Sequence, residues 1–469
     1  MSTMSDTKAE RHVEWLRPLT PGAGPRYVQI ADLIARAVQT GELAVGDQIP
    51  SQRWLATQLG VDLTTVTRAY TEARNRGLIS SFSGRGSFVA GVGEAGDEMR
   101  IDLSMNTPPQ PASGNMGDAL KLAIDEVLAR QGIEAMSAYQ DTWSGASIVQ
   151  AGRAWLRPAV GAMAGQQELI VCAGTQAAIF SLLQSRTQRG DAVLAEPLTY
   201  PGFLLTAQQL GLRVVALEVD QDGVLPDAIE RSHRETGAQV IYLNPTLQNP
   251  TASTMPEPRR KAIGAMLRKL GMTLIEDDPY RYLLNDAPPP IVTYEGGERA
   301  YYLTSLSKCL WPSLRTSFVL LPRQHDASML QDALRASSMG CSLLLTAVAE
   351  HWMRSGQARH LMLDIQREVR ARQTLARSLL PKDVNAHPTG LHLWMTLPPH
   401  WNRQLFALAL EQQGVLVACS DAFSVDANPV DAVRLSVGGA RSQTDLAQAL
   451  QRIATLLRED RRRGVRAIV

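Results

Sequence analysis

Apolar residues near the start of the chain recur at the spacing of an amphipathic helix. Between residues 27 and 43, the positions Val28, Ala31, Ile34 and Val38 fall on one helical face, because a helix repeats every three to four residues. This pattern predicts a helix that packs one face against a small core.

Two shorter helices are predicted to follow. Ser51 is a favourable N-cap for a helix that reaches Leu59, and Asp62 is one for a helix over residues 63–76. Gly60 supplies the turn between them. Two short helices around a tight glycine turn, the second rich in Thr and Arg, indicate a helix-turn-helix.

A short β-hairpin is predicted beyond these helices. Residues 78–80 and 87–89 alternate in polarity like two strands, with Ser83-Gly84-Arg85-Gly86 between them. The hairpin would carry Arg85 at its tip, like a wing beside the helix-turn-helix. Between residues 51 and 90 there are five arginines and two acids, a net of three positive charges. This charge suffices for phosphate contacts but not for tight DNA binding by one copy.

From residue 101 onward, short apolar runs alternate with helical patterns, which predicts an α/β fold with a mainly parallel sheet. Six runs have the length and composition of buried strands, namely 169–172, 192–194, 214–217, 240–243, 272–275 and 301–303. In such sheets ligands bind beyond the carboxyl ends of the strands. The residues that follow each run are therefore the candidate site.

Polar and aromatic residues stand after most of these runs. They are Gly174, Thr175 and Gln176 after the first run, Tyr200 after the second, Asn249 after the fourth, and Asp277 and Tyr280 after the fifth. A helix that begins near Thr175 would direct free backbone N–H groups at an anion. Three acids in succession at 276–278 are costly to bury unless at least one meets a cation.

The sixth run is followed by Ser305, Ser307, Lys308 and Arg315. A lysine beside a second cation loses its proton more easily, and a neutral lysine can form a Schiff base with an aldehyde. The hydroxyls and the guanidinium are donors that a phosphate group needs. For this motif alone, a surface lysine after a strand is the commoner explanation.

Pyridoxal phosphate makes one demand of each of these strand ends. A carboxylate must hold the pyridine nitrogen protonated, so that the ring accepts electrons. Phenol and amide donors must hold the ring oxygen, a helix N-terminus with hydroxyls and an arginine must hold the phosphate, and a lysine must hold the aldehyde. The five runs that are followed by such groups therefore together favour a site for this cofactor over a surface lysine.

The composition limits the number of domains and the class of protein. The 469 residues suggest two to four domains, at about 150 residues each. Lys plus Arg is 47 and Asp plus Glu is 46, so the whole chain has no basic field. The four cysteines are far apart and show no metal-ligand spacing, which favours a reduced, cytoplasmic protein without a metal site. The first residues lack a secretory signal, and no apolar run approaches the roughly 20 residues of a membrane span.

Over its whole length, the stretch 49–89 resembles the winged helix-turn-helix of the GntR family. The resemblance implies that double-stranded DNA is contacted by Arg53, Thr64, Thr65, Thr67, Arg68, Arg85 and Gly86. Leu63 departs from the polar or basic residue usual near the start of the recognition helix. It can touch a thymine methyl but cannot donate a hydrogen bond, so the base preference does not follow.

From residue 101 to the C-terminus the chain resembles the fold-type I aminotransferases, in the motif order G-T-Q, E-P-x-x-Y, Q-N-P-T, D-D-x-Y, S-x-S-K, R. By that resemblance, Lys308 is the Schiff-base lysine and Asp277 pairs with the pyridine nitrogen. The other implied contacts are Tyr280 and Asn249 to the ring oxygen, Tyr200 stacked on the ring, and Gly174, Thr175, Gln176, Ser305, Ser307 and Arg315 around the phosphate. Arg434 would bind the carboxylate of an effector, and Tyr139 would reach the phosphate of the partner subunit. Ala252 departs from the glycine usual in N-P-T-G.

The two motif sets, joined in this order, resemble the MocR subfamily of bacterial transcriptional regulators. The domains predicted are a winged helix-turn-helix over 12–90, a linker over 91–100 and an aminotransferase-like effector and dimerisation domain over 101–469. The resemblance implies a head-to-tail homodimer on an operator with two half-sites. The function predicted is a cytoplasmic regulator that senses an amino compound, or pyridoxal phosphate itself, through an internal aldimine on Lys308. The alternative is an active aminotransferase with an accessory DNA-binding module. The sequence identifies neither the effector nor the operator.

Overall fold

The computed structural model describes residues 15–20, 22, 24–44, 46–82, 86–89, 100–110, 116–137, 145–323, 327–338 and 340–459. The chain divides into two compact units, residues 1–100 and residues 101–469. No helix within the described ranges has both the length and the apolar character needed to span a membrane. Those ranges also contain no cluster of three or more His, Cys, Asp or Glu side chains placed to hold a metal ion.

Helices and short strands make up the N-terminal unit. They are α1 (Arg26–Gln39), β1 (Gln48–Ile49), α2 (Gln52–Leu59), α3 (Leu63–Asn75), β2 (Ile79–Phe82) and β3 (Gly86–Val89). The strands form an antiparallel sheet in the order β1-β3-β2. The predicted helix-turn-helix followed by a hairpin is therefore confirmed. The predicted Arg85 at the hairpin tip lies outside the described residues.

Local details differ from the sequence-based expectations in two places. Ser51 caps α2 as predicted, because its Oγ accepts from the backbone N–H of Trp54 at 3.3 Å. Asp62 is the N-cap residue of α3, as predicted, but within the described chain its side chain makes no capping hydrogen bond. The core-facing stripe of α1 is Ile30, Ala31, Ile34 and Ala37, and Val28 and Val38 are only half-buried.

The C-terminal unit contains the remaining elements. Its strands are β4 (Ile101–Asp102), β5 (Leu169–Cys172), β6 (Ala192–Ala195), β7 (Arg213–Ala216), β8 (Val219–Asp220), β9 (Gly223–Val224), β10 (Val240–Leu243), β11 (Thr273–Asp277), β12 (Ala300–Ser305), β13 (Ser317–Leu320), β14 (Asn385–Ala386), β15 (His392–Thr396), β16 (Val415–Leu416), β17 (Ala418–Cys419) and β18 (Ala432–Ser436). Its α-helices are α4 (Met116–Gln131), α5 (Ala146–Val160), α6 (Met163–Gln166), α7 (Thr175–Arg186), α8 (Pro201–Leu210), α9 (Pro226–Thr236), α10 (Glu257–Leu270), α11 (Ile291–Glu295), α12 (Ala327–Ser338), α13 (Leu343–Ser355), α14 (Gln357–Leu379), α15 (Arg403–Gln412) and α16 (Gln443–Arg458).

A seven-stranded sheet, in the order β5-β13-β12-β11-β10-β6-β7, forms the centre of this unit. Strand β13 is antiparallel to both neighbours, and the other neighbouring pairs are parallel. Hydrophobic clusters cover both faces of the sheet, which explains why most of its strands read as continuous apolar runs rather than alternating ones. The six predicted strands are all present in it, and the predicted α/β class is confirmed. Their carboxyl ends meet at one edge of the sheet.

A smaller antiparallel sheet, in the order β14-β15-β18-β17, packs on a separate core with α14 and α16. Strand β4 pairs with β16 in parallel. The chain just after β4 is fastened to this sheet, because Leu103 O accepts from the backbone N–H of Ser436 at 2.8 Å. These bonds position the segment 104–107 beside the carboxyl edge of the seven-stranded sheet.

Candidate functional site

A cavity of about 240 Å³ lies at the carboxyl ends of β5, β10, β11 and β12. Eleven of the residues predicted to contact the cofactor line it, namely Gly174, Thr175, Gln176, Tyr200, Asn249, Asp277, Tyr280, Ser305, Ser307, Lys308 and Arg315. Tyr139, which the sequence also indicated, lies outside the described residues. The cavity therefore brings together predicted residues that are up to 141 positions apart in the sequence, from Gly174 to Arg315.

Asp277 ends β11 and is buried at the floor of this cavity. Its Oδ2 accepts from the hydroxyl of Tyr242 at 2.7 Å, and its Oδ1 has no hydrogen-bond partner within the described residues. Burial raises the pKa of Asp277 to about 7, with the adjacent Asp278 adding to the rise and the Tyr242 bond and Lys308 opposing it. A carboxylate in this state lacks one strong donor, such as a protonated ring nitrogen.

Lys308 follows β12 and reaches the same cavity. Its Nζ donates to the backbone carbonyl of Asn106 at 2.5 Å. Burial, followed by the charges of Arg434 and Arg315, lowers the pKa of Lys308 to about 8, and the charge of Asp277 opposes this shift. A neutral amine is therefore more available here than on an ordinary surface lysine, as nucleophilic attack on an aldehyde requires.

The turn between β5 and α7 forms a cradle for an anion. Gly174 has a φ of 94° and precedes α7, whose first residues, Thr175 and Gln176, line the cavity. The first backbone N–H groups of a helix have no partner within it and are donors for an anion. Arg315 packs so closely that a Cβ on Gly174 would lie 2.6 Å from its Nη2 atom. The same Nη2 donates to the carbonyl of Ala173 at 2.9 Å. Glycine is therefore needed at 174 both for the backbone conformation and for the approach of the guanidinium.

Hydroxyl groups complete this cradle. The Oγ of Ser305 accepts from the backbone N–H of Ser307 at 3.1 Å, whereas the Oγ of Ser307 is buried and unpartnered in the described part of the chain. Gln176 uses its side-chain NH2 elsewhere, because Nε2 donates to Gly202 O at 2.9 Å and to Thr206 Oγ1 at 3.0 Å. The side chain of Gln176 therefore anchors α8 rather than presenting its NH2 group to the cavity.

Tyr200 and Asn249 also line the cavity. Tyr200 precedes α8, is half-buried, and lies over Gly202, where a Cβ would collide with its ring. Asn249 is buried, and its Oδ1 accepts from Arg434 Nη1 at 2.7 Å. The backbone N–H of Asn249 donates to Asn244 Oδ1 at 2.8 Å. The hydrogen bonds among the described residues do not include one from the side-chain NH2 of Asn249.

Arg434, on β18, lies beside the cavity rather than in its lining. Besides Asn249, it donates from Nη2 to the carbonyl of Ser104, and its guanidinium lies 4.8 Å from the ring centre of Phe423. Its Nε is buried without a partner among the described residues. Burial lowers the pKa of Arg434. A carboxylate that reaches Arg434 would accept from this Nε and compete with the two oxygen acceptors.

Four residues of the site were missed from the sequence. Asn244 donates from Nδ2 to Asp277 O at 2.6 Å, and it could have been found because it directly follows a predicted strand. Tyr242 lies inside an apolar run, where it reads as core. Asn106 and His392 gave no signal, since one stands on a segment without periodicity and the other inside β15.

Of the predicted DNA contacts in the described ranges, Arg53 lies on α2, Thr64, Thr65, Thr67 and Arg68 lie on α3, and Gly86 begins β3. Arg53, Thr64, Thr67, Arg68 and Gly86 are exposed and Thr65 is half-buried. Arg85 lies outside the described residues. Leu63 is 44% exposed, so it is available for an apolar contact.

Two of these side chains also have structural partners. Thr67 Oγ1 lies 2.8 Å from Gln52 Oε1, to which it can donate, and this contact ties α3 to α2. The guanidinium of Arg68 lies 4.6 Å from the ring centre of Tyr27 on α1. Substitution of either residue will therefore affect the unit itself as well as any contact with DNA.

A lysine, a half-satisfied acid and an anion cradle at the carboxyl edge of a mainly parallel sheet define a fold-type I aminotransferase-like domain, and a winged helix-turn-helix precedes it. The chain belongs to the family described as aminotransferase class I and II, whose model matches residues 99–453. Residues 26–89 match the family described as bacterial regulatory proteins, gntR family. This fusion is the architecture of the MocR subfamily, and the chain is a transcriptional regulator with an aminotransferase-like domain.

Curated relatives share this whole arrangement. The HTH-type transcriptional regulator YdfD of Bacillus subtilis is 26% identical over 93% of this chain and 97% of its own length. The vitamin B6 salvage pathway transcriptional repressor PtsJ of Salmonella typhimurium is 27% identical over 90% of this chain and 98% of its own.

Solved aminotransferases share the fold of the larger unit. The kynurenine aminotransferase of Pyrococcus horikoshii, solved with PMP, has a TM-score of 0.70 at 20% identity and covers 79% of this chain and 92% of its own. The α-aminoadipate aminotransferase LysN of Thermus thermophilus, complexed with N-(5'-phosphopyridoxyl)-L-leucine, has a TM-score of 0.68 at 21% identity, covering 79% and 94%. At these identities the likeness establishes the fold alone.

Proposed function

We propose that this regulator carries pyridoxal phosphate as a Schiff base on Lys308 and changes its binding to operator DNA when an amino compound, or the cofactor itself, occupies the cavity. The observation that carries the proposal is the convergence of eleven predicted contact residues on one cavity with partly unsatisfied polar atoms. The relatives with the same architecture include a repressor of vitamin B6 salvage, which is in keeping with a B6-derived ligand.

The residues present fit this cofactor group by group. Asp277 Oδ1 lacks a partner in the described chain and would accept from the ring nitrogen. The orphaned Ser307 hydroxyl, the start of α7 and Arg315 would hold the phosphate. When bound, pyridoxal phosphate supplies an aldehyde that condenses with amines and a ring that withdraws electrons. Tyr200 would cover that ring, and the NH2 of Asn249 and the hydroxyl of Tyr280 would bind its oxygen.

An effector with an amino group would replace Lys308 on the cofactor, and a carboxylate on it would bind Arg434 as a bidentate pair. That carboxylate would accept from the unpartnered Nε and compete with Asn249 Oδ1 and Ser104 O for the rest of the guanidinium. These two acceptors occupy Nη1 and Nη2 when no carboxylate is bound and leave Nε without a partner among the described residues. Effector binding would therefore disturb the contact of Arg434 with the Asn249 loop or with the segment around Ser104.

The remaining parts of the proposal concern assembly. We propose a head-to-tail homodimer, in which each aminotransferase-like domain is completed by its partner and two winged helices contact two half-sites. A single helix-turn-helix with a net of three positive charges between residues 51 and 90 binds weakly. Two copies held at fixed spacing bind with an effective concentration that raises the affinity.

Substitution of Lys308 tests the covalent part of this proposal. The wild-type protein, incubated with pyridoxal phosphate and then reduced with borohydride, is expected to retain the cofactor covalently in denaturant. Lys308→Ala should retain none, and Lys269→Ala, a change at an exposed lysine on α10, should behave as wild type. Retention of the same amount of label by Lys308→Ala would overturn the proposal.

Footprinting tests the regulatory part. The protein would be bound to DNA upstream of its own gene, with no addition, with pyridoxal phosphate, and with pyridoxal phosphate plus a panel of amino acids. A footprint over two half-sites that changes with one of these additions is expected. Multiple-turnover transamination assays on the same preparations are the counter-test, since robust turnover without any footprint would favour the enzyme instead.

A further inference from the structure

A buried histidine lies behind the candidate cofactor site, in contact with residues of that site. His392 is on β15 and is fully buried. Its Nε2 lies 3.0 Å from the carbonyl of Gln248, and its Nδ1 lies 2.8 Å from Asn106 Nδ2. The function considered so far gives this side chain no role.

The two partners of His392 fix its tautomer. A carbonyl only accepts hydrogen bonds, so Nε2 must carry the hydrogen. Burial, together with the nearby charges of Arg434 and Lys308, lowers the pKa of His392 to about 3, so the ring is neutral at ordinary pH. A neutral imidazole that donates from Nε2 is an acceptor at Nδ1.

This acceptor in turn fixes the orientation of the Asn106 amide. With the NH2 group toward His392, one of its hydrogens is donated to Nδ1. The second hydrogen is donated to the hydroxyl of Tyr280, which lies 3.0 Å away. In the reversed orientation, the carbonyl oxygen of Asn106 would face an acceptor nitrogen and lose a hydrogen bond in a buried site.

The orientation of Asn106 decides what Tyr280 does with its hydrogen. Because the hydroxyl accepts from Asn106, its own hydrogen is not used in that bond. Among the described residues, Tyr280 donates to no acceptor, and it lines the cavity. A reversed amide would instead offer Asn106 Oδ1 as an acceptor and draw this hydrogen away from the cavity.

We propose that His392 and Asn106 are positioning residues that direct the hydroxyl hydrogen of Tyr280 into the cavity, where it is donated to the ring oxygen of the bound cofactor. This inference rests on the proposed function, in which that cofactor is pyridoxal phosphate on Lys308. Its consequence is chemical as well as structural. A donor to the ring oxygen stabilises the form in which the Schiff-base nitrogen is unprotonated, and so lowers the pKa of that nitrogen.

The test is the pKa of the Schiff base, read from the pH dependence of the cofactor absorbance in reconstituted full-length protein. His392→Phe removes the acceptor at Nδ1 and frees the Asn106 amide to reverse, so the pKa should rise by about one unit, the size of one hydrogen bond made to one protonation state. His392→Asn keeps a side-chain oxygen near the position of Nδ1 and should stay near the wild-type value. The charged groups nearest Lys308, which are Arg434, Asp277 and Arg315, are unchanged in these variants.

A double variant separates positioning from simple damage. In His392→Phe/Asn106→Leu the competing acceptor is gone, so Tyr280 donates to the ring again and the pKa should return toward the wild-type value. An unshifted His392→Phe, or a double variant shifted as far as the single one, would overturn the inference. Failure of the wild type to form a Schiff base would instead overturn the proposed function.

A further variant keeps the inference testable if His392→Phe does not fold. Asn106→Asp places a group at 106 that only accepts when ionised, so it should draw the hydrogen of Tyr280 and raise the Schiff-base pKa. The added charge also raises that pKa, but this part persists in a Tyr280→Phe background. The part due to Tyr280 should disappear there, and a shift of equal size in both backgrounds would contradict the inference.

Discussion

Glu276 and Asp277 are neighbours at the end of β11, yet they face opposite sides of the sheet and differ in their hydrogen-bond partners. Glu276 accepts from the backbone N–H groups of Ile291 and Val292 at 2.8 and 2.9 Å, and Arg260 Nη1 lies 3.9 Å from it. Asp277 receives one hydrogen bond, from Tyr242, and has one oxygen without a partner among the described residues.

Burial alone does not distinguish the two carboxyls. It raises the pKa of each to about 7. The difference lies in the partners, because both oxygens of Glu276 are occupied by the fold, whereas Asp277 keeps one oxygen for something that the chain does not supply. A perturbed pKa therefore marks a candidate binding group only when the hydrogen bonds are also incomplete.

The largest effect on stability is expected from substitution of Glu276, whose two carboxylate oxygens both have hydrogen-bond partners. Glu276→Ala would leave the buried guanidinium of Arg260 without its nearest carboxylate and two N–H groups of α11 without an acceptor. We expect the free energy of unfolding at pH 8, where Glu276 is ionised, to fall by about 3–5 kcal/mol. Urea unfolding followed by circular dichroism measures it.

Removing Arg260 as well provides the control for this prediction. If the two side chains act as a pair, Arg260→Met in the Glu276→Ala background should cost much less than Arg260→Met alone. Equal costs in the two backgrounds would show that the pair contributes nothing and that Glu276 acts only through the backbone of α11.

Asp277 keeps one oxygen without a partner among the described residues. Asp277→Asn should therefore change the affinity for the ligand rather than disrupt the fold. The amide keeps the size of the side chain but loses the charge that would hold a protonated ring nitrogen. A hydrogen bond to a charged group contributes about 1.5–3 kcal/mol, so the affinity for pyridoxal phosphate should fall about 10- to 150-fold. Glu276→Gln, the same chemical change one residue earlier, is the matched control and should leave that affinity much less changed.

The same substitution should change the pH dependence of stability without ligand. In the folded wild type the pKa of Asp277 is about 7, above its ordinary value of about 3.9, so the folded state binds the proton more tightly. The stability from this group is present at low pH and is lost as the pH rises from about 4 to 7. Asp277→Asn lacks this loss, so it should gain about 3–4 kcal/mol relative to wild type between pH 4 and pH 8, at about 1.4 kcal/mol for each unit of pKa shift. A constant difference across this range would contradict the assignment.

The contrast between Glu276 and Asp277 also explains which parts of the site could be predicted from the sequence and which could not. The residues that end strands were found, because an apolar run gives the strand and the parallel sheet brings the carboxyl ends together. Lys308, Asp277 and Asn249 were predicted in this way. The pairing that satisfies Glu276 was not predicted, since Arg260 and the start of α11 reach it through helix packing.

Other features of the structure were also not predicted from the sequence. Tyr242 and His392 lie within apolar strands, so their polar atoms read as part of the core. The local pattern around Asp62 matched an N-cap, but a preference for a residue type does not fix its rotamer. Periodicity placed α1 and two of its buried positions, Ala31 and Ile34, correctly, whereas Ile30 and Ala37 are buried in place of Val28 and Val38.

The smallest effect is expected in the anion cradle, where two serines repeat the contrast on a smaller scale. Ser305 Oγ already accepts from the backbone N–H of Ser307, and Ser307 Oγ is unpartnered in the described residues. Ser307→Ala should therefore leave the stability of the ligand-free protein unchanged or slightly raised, because it removes a buried hydroxyl that makes no bond. It should weaken the binding of pyridoxal phosphate about 2- to 12-fold, the range for one ordinary hydrogen bond of about 0.5–1.5 kcal/mol. Ser305→Ala should instead lower the stability by a similar free energy, and the comparison fails if the two variants behave alike in both measurements.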